Sequence, residues 1–105
     1  MSYELTGAAF ASQVNSRFRL IAGPATAIEV ELIEFTAGSK SARHEAFSIV
    51  FQAPLDAPLE QRIYRLEHES MGGFELFLVP IGKSPEGVSY EAVFNRAIDE
   101  NPGGE

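Results

Sequence analysis

One stretch in the second half of the chain, FELFLVPIG at residues 74–82, restricts the fold more than any other part of the sequence. Its apolar residues occupy both faces of a period-two pattern, and they are Phe74, Leu76 and Leu78 on one face and Phe77, Val79 and Ile81 on the other. A strand in a small antiparallel domain normally has one face in water. Either more of the same chain or another molecule must therefore cover the second face.

Other runs of the same period follow one another along the chain, among them AFSIVFQ, RIYRLEHE and VSYEAVFNRA. Turn signals separate them at intervals of roughly 8–12 residues. A short helix near Ala8–Ser16 is expected before them, because Thr6 is a suitable N-cap and Phe10, Val14 and Phe18 are spaced four apart. The pattern predicts an all-β, mainly antiparallel fold, a small barrel or tight sandwich of about six strands with one short N-terminal helix.

The clearest strand, ATAIEVELIEFTAG, contains a break in its alternation. Ile28, Val30 and Leu32 alternate with glutamates, but Ile33 then follows Leu32 directly. One extra residue reverses the facing of everything after it, so a β-bulge near Leu32–Ile33 explains the break. A strand that passes from one sheet into another would explain it as well.

Length and charge predict a single domain over residues 1–98, followed by an acidic, glycine-rich tail, DENPGGE at 99–105, that is disordered. The chain of 105 residues has a net charge of −7 and no cysteine. Nucleic acid is not expected as a partner because phosphate binding needs clusters of Lys and Arg. Disulfides and thiolate metal sites are excluded, and no cofactor is expected.

The N-terminus, MSYELTGAAF, lacks the basic and apolar regions of a signal peptide. No run approaches the roughly 18 apolar residues of a membrane span. The sequence therefore predicts a soluble, cytoplasmic protein with no membrane partner.

The candidate for chemistry is the group Arg65, Glu67 and His68 in RLEHES. A histidine beside carboxylates is typical of a metal ligand or a general base. Adjacent strand residues point to opposite faces, however, so Glu67 and His68 do not share one. The preferred interpretation is a structural histidine at a strand end that hydrogen-bonds to backbone, with no catalytic or metal role. The alternative is a small ligand-binding barrel or minor enzyme that uses these residues.

Apolar residues on nominally outer faces are the second group of candidates. They are Val50, Ile63, Phe77, Val79, Ile81 and Val93, which lie on neighbouring strands if the sheet runs in chain order. The structural interpretation is that the short helix docks there through Phe10 and Val14, or that a second sheet does. The functional interpretation is an interface with another protein or with a second copy of the chain.

Several blocks in order, FSIVFQAP, YRLEH, ELFLVPIG and YEAVFN, resemble a family of small bacterial domains of unknown function. The resemblance covers about Phe47–Asn95, and it implies an association with phage-tail-collar-like fibre proteins. The function expected is therefore a non-enzymatic structural or protein-interaction module, related to phage tails and self-associating.

Overall fold

The computed structural model describes residues 5–41 and 44–97, so the tail predicted at 99–105 lies outside the described residues. Within the described ranges the chain forms one helix and six strands, numbered in chain order as α1 (Gly7–Ala11), β1 (Arg17–Gly23), β2 (Thr26–Ser41), β3 (His44–Ala53), β4 (Arg62–His68), β5 (Gly72–Ser84) and β6 (Gly87–Ala97). The strands pair antiparallel and close into a barrel in the order β1-β2-β3-β6-β5-β4. The predicted all-β class is confirmed.

The strands do not follow one another around the barrel in chain order. β4 and β5, which are joined by a short connection, form a hairpin, but β3 pairs with β6 and β1 pairs with β4. The strands β3, β6, β5 and β4 are nevertheless consecutive neighbours in the barrel. The outer-face candidates therefore lie on adjacent strands, as expected, but because of the order β3-β6-β5-β4 and not because the sheet runs in chain order.

The break in alternation on β2 is a β-bulge. Leu32 pairs with Phe51 and Glu34 pairs with Val50, which leaves Ile33 as the extra residue. Leu32 is fully buried, whereas Ile33 is 37% exposed. The predicted bulge is confirmed, and because of it Phe35 turns back to the interior and packs on Phe47 with ring centroids 5.5 Å apart.

Helix α1 fills one end of the barrel. The hydroxyl of Thr6 accepts a hydrogen bond from the Ala9 N–H at 3.1 Å, as predicted for an N-cap. The ring of Phe10 is fully buried, and its neighbours are Phe47, Phe74 and Phe94, with centroids 5.3–6.1 Å away. The expectation that Phe10 docks on the outer face of the sheet is therefore wrong, because the ring enters the barrel interior.

The segment 54–61 lies at the opposite end of the barrel and connects β3 to β4. Two tyrosine hydroxyls donate to its backbone: Tyr64 to the carbonyl of Glu60 at 2.7 Å, and Tyr90 to the carbonyl of Pro58. Burial raises the pKa of Tyr90 to about 12, so this hydroxyl stays protonated and able to donate at any ordinary pH. The tyrosines therefore hold the connection against the barrel.

Candidate functional site

The structure separates the three residues of the first candidate group. Arg65 and Glu67 face outward from β4, whereas His68 faces the interior and is 8% exposed. Glu67 lies between two arginines, with its carboxylate 3.6 Å from Nε of Arg65 and 3.8 Å from Nε of Arg19. Exposed ion pairs of this kind stabilise a protein by well under about 1 kcal/mol. Arg65 and Glu67 thus form a charge cluster on the outer face of β4, with the imidazole on the inner face, although Glu67 and His68 both line one open cleft of about 920 Å³.

His68 is held by hydrogen bonds on both ring nitrogens. Nδ1 accepts from the backbone N–H groups of Ser70 and Met71, at 3.0 and 3.1 Å. Nε2 lies 3.0 Å from Oγ of Ser16, and that hydroxyl donates to the carbonyl of Gln13 at 2.7 Å. The ring also packs on Phe18, with centroids 4.2 Å apart. His68 therefore joins the turn after β4 to the turn after α1.

The Ser16–His68 pair resembles a nucleophile and its general base, but its proton is in the wrong place for that reaction. Because Nδ1 accepts two N–H groups, it carries no proton, and the neutral ring must carry its proton on Nε2. Nε2 then donates to Ser16 and cannot remove its proton. The geometry favours a structural histidine. Ser16 was not a sequence candidate, since no local pattern connects residues 52 positions apart.

Burial lowers the pKa of His68, an effect that the neighbouring Glu69 carboxylate only partly offsets. Protonating Nδ1 would also remove its capacity to accept from Ser70 and Met71. In the unfolded chain the imidazole titrates near the ordinary value of about 6.5. The unfolded state therefore binds a proton at a higher pH than the folded state does.

This difference predicts that stability falls as the pH drops below about 6.5, by up to about 1.4 kcal/mol per pH unit, until the folded pKa is reached. His68→Asn should flatten the slope between pH 7 and 5, because an amide oxygen accepts the turn N–H groups without titrating. Urea unfolding at several pH values measures the effect. His44→Asn, at an exposed histidine, is the matched control and should keep the wild-type slope. An unchanged slope in His68→Asn would contradict the prediction.

Residues 5–41 and 44–97 contain no group of three or more His, Cys, Asp or Glu side chains arranged to hold a metal ion. No helix in those ranges has the length and apolarity needed to cross a membrane.

The second group of candidates forms a continuous surface, here called the apolar face and defined as Ile63, Phe77, Val79, Ile81 and Val93. Four of its members have high exposed fractions, which are 63% for Ile63, 53% for Phe77, 52% for Ile81 and 72% for Val93. Val79 is half-buried. Ile63 lies directly opposite Phe77 in the β4–β5 ladder, so their side chains are neighbours.

Val50 is the one outer-face candidate on β3. It is half-buried on β3, between Glu34 of β2 and Glu91 of β6, which lie directly opposite it on either side. A glutamate therefore flanks it on each neighbouring strand. The apolar face therefore extends over β4, β5 and β6.

Comparison with known proteins adds a family. A family model described as "Domain of unknown function (DUF6916)" matches residues 5–94, which include α1, β1–β5 and most of β6. Neither the curated proteins nor the solved structures contained a match to this chain. The resemblance to a family of domains of unknown function is thereby confirmed, and the chain belongs to the DUF6916 family.

Proposed function

We propose that this chain is a non-enzymatic structural or protein-interaction module that self-associates through the apolar face. The observation that carries the proposal is the exposure of Ile63, Phe77, Ile81 and Val93 on three adjacent strands. Single exposed apolar residues are normal on a protein surface, whereas contiguous ones are typical of contact sites. Covering them contributes roughly 25 cal/mol for each Å² removed from water.

The charges around the apolar face favour a second copy as the occupant. Arg65 lies opposite Glu75, on one side of Phe77, and Glu91 lies opposite Val79, on the other side. Arg65 and Glu91 are thus placed diagonally across Phe77. Consider a two-fold axis that passes over Phe77, lies in the plane between the two copies and is perpendicular to the line that joins those charges. Rotation about this axis places Arg65 of each copy over Glu91 of the other. Such self-complementarity is what an isologous interface requires.

Phe77→Glu is expected to convert a dimer into a monomer without unfolding it. The ring is about half exposed, so the fold tolerates the carboxylate, but two apposed copies would bury an unpaired charge. Molar mass by light scattering measures the assembly, and circular dichroism measures the fold. Leu59→Glu is the matched control, since Leu59 is 60% exposed in the 54–61 segment and should leave the dimer intact. A wild-type protein that is monomeric at every concentration would refute self-association.

The wider part of the proposal is an accessory role in a phage-tail-like assembly, and the sequence resemblance alone supports it. Tail-like particles are built from repeated copies, so a self-associating module suits them. The proposal predicts that the chain sediments with such particles from its native host and that Phe77→Glu stays in the supernatant. A wild-type chain found only in the supernatant would contradict this role.

A further inference from the structure

The seam between β5 and β6 is paired along only half of its length. Their ladder joins Val79–Ser84 to Gly87–Glu91 and ends there within the described residues. Beyond that point the first half of β5 pairs with β4, and Ala92–Ala97 of β6 pair with β3. Within residues 5–41 and 44–97, both strands therefore have an unpaired backbone edge that faces the other strand.

A groove of about 380 Å³ lies in this opening. Its apolar walls are Leu76, Phe77 and Val79 from β5 and Ala92, Val93 and Phe94 from β6. Two carboxylates line it as well: Glu91 at the closed end, where it pairs with Val79, and Glu75 four residues further along β5. The groove thus combines open strand edges, apolar walls and negative charge.

We propose that this groove binds an extended peptide segment of a partner protein, in which apolar residues alternate with Lys or Arg. Unpaired N–H and C=O groups on a strand edge bind an added strand through main-chain hydrogen bonds, and alternate side-chain pockets select its sequence. Basic residues match Glu75 and Glu91, and apolar residues match the walls. The inference rests on the proposed role in protein interaction. Because Phe77, Val79 and Val93 belong to both the groove and the apolar face, a second copy and the peptide compete for this surface, and the peptide binds the single chain.

The barrel topology excludes a strand of a second folded copy as the occupant of the groove. The groove lies between β5 and β6, so an inserted strand has one of them on each side. Each strand of a second barrel is paired on at least one side along its length, as Ala92–Ala97 of β6 are paired with β3, so none of them can pair with β5 and β6 at once. Only a segment outside a sheet of its own can enter, which is why a peptide is the expected ligand.

Fluorescence anisotropy with a labelled peptide of alternating valine and lysine tests the proposal. The measurement is made on wild type and on Ile63→Glu, because Ile63 lies outside the groove and a carboxylate there keeps the apolar face from self-associating. The combined change Glu75→Lys and Glu91→Lys should weaken binding by about tenfold at low salt. A peptide of alternating valine and glutamate should bind the unchanged groove about as weakly.

Main-chain pairing is tested with the same valine–lysine peptide methylated at alternate backbone nitrogens, which should bind more weakly than its parent. Amide hydrogen exchange within Ala92–Ala97 should slow when the parent peptide is bound. Equal affinity of the two peptides, or no saturable binding to Ile63→Glu, would overturn the inference. If wild type is dimeric and either of these results is obtained, the peptide-binding proposal is refuted and self-association stands. If wild type is monomeric and binds the peptide, self-association is refuted and the peptide-binding proposal stands.

Discussion

Gly87→Ala should lower the free energy of unfolding by about 3 kcal/mol or more. Gly87 begins β6 with φ +143°, a backbone conformation that side chains rarely adopt. A Cβ there would overlap the carbonyl oxygen of Ala53 and lie 3.1 Å from its carbonyl carbon. Those are backbone atoms of a β3 residue that pairs with Val88, so they cannot rotate away. The substitution must displace the start of the 54–61 segment.

Substitutions at two other glycines distinguish the cost of the steric clash from the cost of the backbone strain. Gly72 has φ +76° but no atom within 4 Å of an added Cβ, so Gly72→Ala should cost about 1 kcal/mol from strain alone. Gly82 has open space and an ordinary φ, so Gly82→Ala should be nearly neutral. Urea unfolding of the three variants gives the comparison. Equal losses for Gly72→Ala and Gly87→Ala would show that no close approach limits position 87.

Phe10→Ala should reduce the free energy of unfolding by about 3 to 5 kcal/mol. The ring is fully buried, and it contacts aromatic residues of three strands: Phe47 of β3, Phe74 of β5 and Phe94 of β6. A helix of 5 residues is not stable alone. Removing the ring therefore leaves a cavity and also removes the main contact that holds α1 in place.

Val14→Ala is the matched control for this prediction. Val14 belongs to the same predicted helical stripe, but it is only half-buried, so its truncation should cost about 1 kcal/mol. Denaturant unfolding at two protein concentrations measures both changes and reveals any contribution from association. A loss for Phe10→Ala no larger than that for Val14→Ala would show that α1 does not support the barrel.

The facing of individual strands could be predicted because period two is a local property. The bulge is the clearest case, since adjacent Leu32 and Ile33 cannot both face inward in a regular strand. The outward position of Phe77 followed from the same reasoning. Local pattern thus identified which side chains form the core and which form the apolar face.

Element ends were predicted less well, because backbone geometry decided them. The helix expected over Ala8–Ser16 ends at Ala11, and Asn15 then adopts φ 77° in the turn that leads to β1. The polar composition of GSKSARHE at 38–45 is typical of a connector, yet β2 continues to Ser41 and β3 begins at His44. Ladder hydrogen bonds join backbone groups, so a strand can continue through polar residues.

Long-range partners could not be predicted at all. The pairing of β3 with β6, the contact between Ser16 and His68, and the close approach of Gly87 to Ala53 each join distant parts of the chain. None of them leaves a periodic signal in one sequence. The groove depends on where the β5–β6 ladder stops, which is also a property of the closed barrel.

The two ends of the barrel are closed by different means, and this has a consequence for how the molecule comes apart. At one end, the 54–61 segment runs directly from β3 to β4, and two tyrosine hydroxyls donate hydrogen bonds to its backbone. The other end is closed chiefly by the ring of Phe10. Withdrawing that ring disrupts few backbone hydrogen bonds, so it requires less free energy than global unfolding. A protease should therefore cleave before β1 at a rate set by this partial opening, while the six strands remain paired.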